Sequence, residues 1–194
     1  MPRKGQINPK TGKRIEWEME QAALKAQQVD MEVVNKQLSL LMRQQKALEA
    51  RDKFMPFIKF TSPDPIDPND VEKSSYKDAK HHRAVAKVIE AIINGEVDYT
   101  FVILTMPPRH GKSEQVSRRL PAWLMGRFPE QHGVVATYND DFAADFGKDV
   151  RSIVKSPQFR QVFPNVSLMR GGSASDKLQT TKGGRWAFVG RGGA

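Results

Sequence analysis

From residue 15 to residue 53 the chain has no glycine or proline, and Ala, Leu, Met, Gln, Glu and Lys dominate, so a single long helix is predicted. Alternating steps of three and four pick out Leu24, Gln27, Met31, Val34, Leu38, Leu41, Gln45 and Leu48. That seam suits a coiled coil or docking on another helix, with an amphipathic helix packed on its own domain as the equal alternative. Gln at two seam positions argues against a long independent dimer. Residues 54–70 carry Pro56, Pro63, Pro65 and Pro68, which predicts an extended linker without helix and a domain boundary nearby. A second helix is predicted over 75–94, where Ala84, Val85, Val88, Ile89, Ile92 and Ile93 recur at helical spacing and Gly95 follows as a stop. Residues 99–105 (YTFVILT) read as a buried parallel strand, 112–125 as a helix, 133–138 (GVVATY) as a second strand and 140–155 as a helix. Two short runs, 178–181 and 186–189, separated by Lys182, Gly183, Gly184 and Arg185, read as a hairpin. Strands alternating with helices imply a doubly wound parallel sheet. No internal repeat is found.

Composition adjusts this picture. The 194 residues suffice for one α/β domain, but the first third reads as non-globular, leaving the core to the remainder. Residues 1–14 contain Arg3, Lys4, Lys10, Lys13 and Arg14 and no acid, which reads as a disordered basic arm. The whole chain carries a formal charge of +9, suggesting a polyanionic partner. The absence of cysteine excludes disulfides and thiolate chemistry and fits a reducing compartment. No apolar run approaches the roughly 20 residues that span a bilayer, so no membrane association and an intracellular location are expected.

The most informative segment is 106–113 (MPPRHGKS), set between a predicted strand and a predicted helix, the context a phosphate loop requires. Gly111 allows close approach of the backbone to phosphate, Lys112 places an ammonium between phosphates, and the Ser113 hydroxyl is a ligand for Mg²⁺. Met106 stands where such loops usually have their first glycine. A surface loop with a chance Gly-Lys-Ser is the plainer alternative.

Residues 104–114 (LTMPPRHGKSE) and 118–129 (RRLPAWLMGRFP), with 136–139 (ATYN), 142–151 (FAADFGKDVR), 156–164 (SPQFRQVFP) and 183–194 (GGRWAFVGRGGA), resemble the large terminase subunit of tailed phages, the ATPase that drives DNA into the procapsid. The likeness covers roughly 57–194. It implies an α/β P-loop NTPase of the additional-strand class, a parallel sheet flanked by helices, incomplete and preceded by the long helix. On that reading 1–14 is the basic arm, 15–53 the helix, 54–74 a Pro-rich linker opening the adenine side, and 75–194 a partial ATPase domain. The resemblance also implies ATP and Mg²⁺ as cofactors, held by Pro107, Pro108, Arg109, His110, Gly111, Lys112 and Ser113. In it His81 and His82 fall near the adenine. Its partners are double-stranded viral DNA, the portal protein, the small terminase subunit and further copies in a ring, in the host cytoplasm at the procapsid portal.

Three residues are candidates on position as well. Tyr138 and Asp140 end the second strand, where the open edge of a doubly wound sheet gathers ligand contacts, and Asp140 is a candidate for magnesium. Arg191, between Gly190 and Gly192, is a candidate arginine finger, with a plain loop residue or DNA contact as alternatives. The family's acidic Walker B strand would follow Ala194, and its nuclease carboxylates are absent, so weak nucleotide binding without sustained hydrolysis is expected of the chain alone. The alternatives are another P-loop ATPase of helicase-like type, or a non-catalytic fragment that binds DNA or a partner through the arm and long helix.

Overall fold

The structure is a computed structural model that describes residues 7, 9–12, 15–99, 101–169 and 177–191; most of the basic arm expected over 1–14 lies outside them. The chain divides into two compact units, 1–43 and 44–194, with the division falling inside the first helix. That helix, α1, runs over Ile15–Asp52 for 38 residues, as its composition dictates. No helix among the described residues is long and apolar enough to cross a membrane.

In the second unit the Pro-rich stretch departs from the extended linker read from its sequence, because α2 spans Phe54–Phe60. Pro56 is its third residue, and in the first turn of a helix a missing N–H costs no intrahelical bond. The Phe54 N–H is instead the donor that needs a partner, and Glu90 Oε1 accepts it at 2.6 Å. Phe54, Phe57 and Ile58 are fully buried, so apolar burial stabilises a seven-residue helix that propensity alone would not. The chain then loops out and is clasped where it returns. Ser75 N–H donates to Ser62 O at 3.0 Å, and Ser74 Oγ donates to the carbonyls of Lys59 and Ser62. This clasp occupies the residues just after 74, so the next helix, α3, begins at Lys80 and not near 75, and runs to Ile93. Gly95, at φ +72°, closes it in the left-handed conformation glycine adopts most easily.

The expected strand over 99–105 is not formed at its described residues, 99 and 101–105. Residues 101–105 pair with no strand, and Phe101 and Ile103 are 79% and 81% exposed. A strand needs a neighbour for its ladder, and no strand among the described residues pairs with this run. Strand β1, Gly133–Thr137, pairs in parallel with β3, Arg185–Gly190, which pairs on its other side with the antiparallel β2, Lys177–Gln179. The protein is thus mixed α/β with a small three-stranded mixed sheet flanked by helices. The doubly wound parallel sheet expected from the sequence reduces to one parallel pair, plus the hairpin foreseen near 178–189. The unpaired run instead contributes Val102, Ile103 and Leu104 to an apolar cavity of about 470 Å³ against Val85, Ile89 and Ile92 of α3.

Past the loop the chain is helical from Lys112 to Arg127, opening into a π-helical segment, Glu114–Arg119, and continuing as α4, Leu120–Arg127. Helix α5, Asp140–Lys155, starts where the Asn139 side chain accepts the Asp141 N–H, and α6, Pro157–Val162, where Ser156 caps the Phe159 N–H. The core joins these elements. Trp123 of α4 is fully buried, 5.2 Å from Phe54, and donates its indole N–H to the carbonyls of Ala50 and Arg51. Phe57, Phe159 and Phe163 form an aromatic cluster with centroids 5.2–6.3 Å apart. Trp186 and Phe188 project inward from alternate positions of β3.

Candidate phosphate-binding loop

The loop over 106–113 turns at Pro108 and Arg109 and enters a helix at Lys112. Arg109 has φ +63° and Gly111 φ +79°, so two left-handed residues flank His110. Left-handed backbone interleaved with ordinary backbone is the arrangement that builds anion-binding nests from main-chain amides. A non-glycine residue held there costs on the order of 1–2 kcal/mol, which its surroundings must offset. The first bond of the new helix joins Gln115 N–H to Gly111 O at 3.0 Å. The amides of Lys112, Ser113 and Glu114 precede it, and those are the donors a helix start leaves without intrahelical partners. Lys112 and Ser113 are exposed. Among the described residues neither Arg109 nor Lys112 is in an ion pair, whereas two other cations of this helix are committed. Arg118 pairs with Asp149 of α5 at 2.5 Å and lies over Phe146, and Arg119 pairs with Glu114 at 2.7 Å and reaches Thr61. Cations at 109 and 112 beside a helix start are a fitting set for a polyphosphate, with the Ser113 hydroxyl available as an oxygen ligand for magnesium.

The family resemblance put His81 and His82 near the adenine, and the structure shows the contacts each makes. Its Nδ1 accepts the Ala79 N–H at 3.1 Å, so the ring proton resides on Nε2, which donates to His110 O at 2.9 Å. One imidazole thereby caps α3 and anchors the loop. Gly111 is required beside it, since a Cβ there would stand 2.6 Å from His82 Nε2. His110 in turn donates Nδ1–H to Pro108 O at 2.8 Å, closing the turn on itself. His81 stacks edge-on against His82 with centroids 4.1 Å apart and lies 5.9 Å from the His110 ring.

Two residues around this anchor escaped the sequence reading. Gln115 is fully buried and donates Nε2–H to His82 O at 3.1 Å, while its Oε1 has no partner among the described residues. Tyr76 packs 5.5 Å from His82, and its buried hydroxyl is likewise unpartnered. Burial, reinforced by the Glu114 carboxylate, pushes the Tyr76 phenol up to about 12. Neither is marked by a local pattern: the helical neighbours of Gln115 include Lys112, Arg118 and Arg119, so a polar residue among them draws no notice.

The remaining candidates gather at the end of the sheet. Asp140 Oδ1 accepts the Gly190 N–H at 3.0 Å, tying the start of α5 to the end of β3, with exposed Arg191 next along the chain. Tyr138 is 71% exposed and stacks on Phe142 at 5.2 Å. Among the described residues no hydrogen bond or ion pair joins Tyr138, Asp140 or Arg191 to 106–113, and no group of three acids or histidines is arranged to hold a metal. Comparison with protein-family models, curated proteins and solved structures finds no match.

Proposed function

We propose that this chain binds ATP with magnesium on the loop 106–113, as part of a phage-type DNA-packaging ATPase of the terminase large-subunit kind. The observation that carries the nucleotide reading is the loop itself: left-handed Arg109 and Gly111 lead straight into a helix whose first residues, Lys112 and Ser113, are exposed. In this role Lys112 and Arg109 balance phosphate charge, and amides at the helix start donate to phosphate oxygens. Ser113 Oγ would be a ligand for magnesium, which when bound would neutralise phosphate charge. His82 acts through the loop, fixing the His110 carbonyl and so the turn. Asp140 accepts the Gly190 amide at Oδ1 alone, and its second carboxylate oxygen keeps it a candidate ligand for the magnesium. The packaging role and its partners, double-stranded DNA, the portal and the small subunit, rest on the motif resemblance and the +9 charge.

The test is calorimetric titration of the full chain with ATP in the presence and absence of magnesium. Saturable, magnesium-strengthened binding that falls at least about tenfold in Lys112→Ala supports the reading, a loss of roughly 1.4 kcal/mol. Lys112 is exposed, so that variant keeps its fold, which circular dichroism checks. Equal binding by wild type and Lys112→Ala, or none by either, removes it. A chain that binds duplex DNA but no nucleotide would favour the non-catalytic reading instead.

A further inference from the structure

The long helix α1 displays an apolar seam that the second unit does not use where the helix is rooted in it. At that end Ala47 and Ala50 are buried in the core, while Leu48, between them in sequence, is 58% exposed on another face. Leu48 belongs to the seam of Leu24, Gln27, Met31, Val34, Leu38, Leu41 and Gln45. The five apolar members from Leu24 to Leu41 are each about half exposed or more. The alternation of three and four is unbroken across these positions, a strict seven-residue repeat. On a straight helix such a repeat drifts by roughly 20° per heptad, so a flat surface loses it, whereas a second helix supercoiling with it keeps the stripe in contact.

We infer that α1 pairs through this seam with α1 of a second copy of the chain, antiparallel, in a two-stranded coiled coil. The seam is complementary to itself in that orientation. Centred between Val34 and Leu38, the pairing sets Leu24 against Leu48, Met31 against Leu41, Val34 against Leu38, and Gln27 against Gln45 of the other copy. The two polar positions that would weaken the seam therefore meet each other, amide to amide, and fix the register as a buried polar pair does in coiled coils. The flanks agree. Asp30 falls opposite Gln44, Gln37 opposite Gln37, Gln28 opposite Met42 and Asn35 opposite Asn35, so like charges do not meet. Orientation follows from charge beyond the seam. Residues 1–14 carry five basic side chains and no acid. A parallel pair would bring two such segments to one end, whereas the antiparallel pair separates them by about 63 Å along the axis, several times the roughly 8 Å screening length at physiological salt. An interface built of one patch meeting itself about a two-fold axis is the commonest form of self-association.

Light scattering on the full chain during size exclusion should give twice the 21.9 kDa chain mass. The double variant Val34→Glu, Leu38→Glu, which opposes acids at the two central layers, should run as a monomer with unchanged helix content. The chain has no cysteine, so cross-links report the arrangement directly. Leu24→Cys protein mixed with Leu48→Cys protein should oxidise to a linked dimer, and neither alone should do so. A monomeric wild type, or a double variant that remains dimeric, overturns the pairing. Self-linking of Leu24→Cys alone overturns the antiparallel arrangement.

Discussion

The His82 imidazole donates to the His110 carbonyl at 2.9 Å, joining the N-terminal turn of α3 to the loop between Met106 and Ser113. Because its other nitrogen accepts the Ala79 N–H, the ring is pinned on both sides and cannot swing away to suit a displaced loop. The loop's left-handed turn costs energy that this anchor offsets. His82→Ala is therefore expected to weaken nucleotide binding by about three- to tenfold, the scale of one net hydrogen bond of ~1 kcal/mol, while Lys112→Ala weakens it more. Titration of both variants beside wild type checks the order, and an unchanged affinity in His82→Ala would show that the anchor is merely structural.

Gly111→Ala tests the same joint from the other side. The residue sits at φ +79°, and a Cβ would press to 2.6 Å from His82 Nε2. The left-handed conformation alone costs about 1–2 kcal/mol for a side chain, and the contact adds to it because the imidazole is held at both nitrogens. A fall of several degrees in Tm is expected. Combining Gly111→Ala with His82→Ala removes the collision but not the backbone cost. The double variant should then be less destabilised than the sum of the singles, and strict additivity in denaturation experiments would rule out the steric coupling.

How much of this was legible in the chain depended on whether a local signal had to compete with a tertiary one. Helix α5 was read at its observed limits because residues 140–155 keep helical spacing, and the structure adds the Asn139 cap that fixes its start. The hairpin around Gly183 and Gly184 was equally plain, with Gly183 at φ +100°. Helix α2 was missed because four prolines outweighed an apolar run, although Pro56 falls in the first turn, where proline does no harm, and Phe54 and Phe57 find a core to fill. The strand over 99–105 was over-read for the converse reason: its composition is right for a buried strand, but a strand also needs a partner, and the described part of this run lines an apolar cavity with Val85, Ile89 and Ile92 of α3 instead. At the loop, Gly111, Lys112 and Ser113 could be named from pattern. The roles of Gln115 and Tyr76 could not, since a contact 33 residues apart such as Gln115 to His82 leaves no mark in local sequence.

Gly126→Ala sets two opposed effects against each other in α4. Glycine inside a helix is worse than alanine by about 1 kcal/mol, so propensity alone predicts a gain. A Cβ at 126, however, would lie 2.2 Å from the Phe163 ring, which Phe57 and Phe159 hold at 6.1 and 5.2 Å. Overpacking of this kind costs typically 1–3 kcal/mol, and a ring wedged between two others cannot give way, so net destabilisation of about 1–2 kcal/mol is expected. Urea denaturation decides it: an unchanged or raised midpoint would mean that Phe163 moves freely.

The acid limit of stability should be set in part by Asp78, which precedes α3 and is only 10% exposed. Lys59 donates to it at 2.7 Å and Arg83 pairs with its other oxygen, and these two cations hold its carboxyl down to about 2 from the ordinary 3.8. A depressed folded-state value means the charged form is favoured by folding. The contribution is therefore complete above pH ~4 and is lost as the pH falls from there through about 2, where the carboxyl protonates even in the native state. The full shift would correspond to about 2.4 kcal/mol, but Lys59 and Arg83 stand 43% and 61% exposed, and screening reduces the expected contribution to about 1 kcal/mol. Asp78→Asn should lose that amount at neutral pH and almost nothing once the pH is below ~2, so the two urea midpoints converge on acidification. Parallel curves across that range would show that the ion pairs at Asp78 do not stabilise the fold.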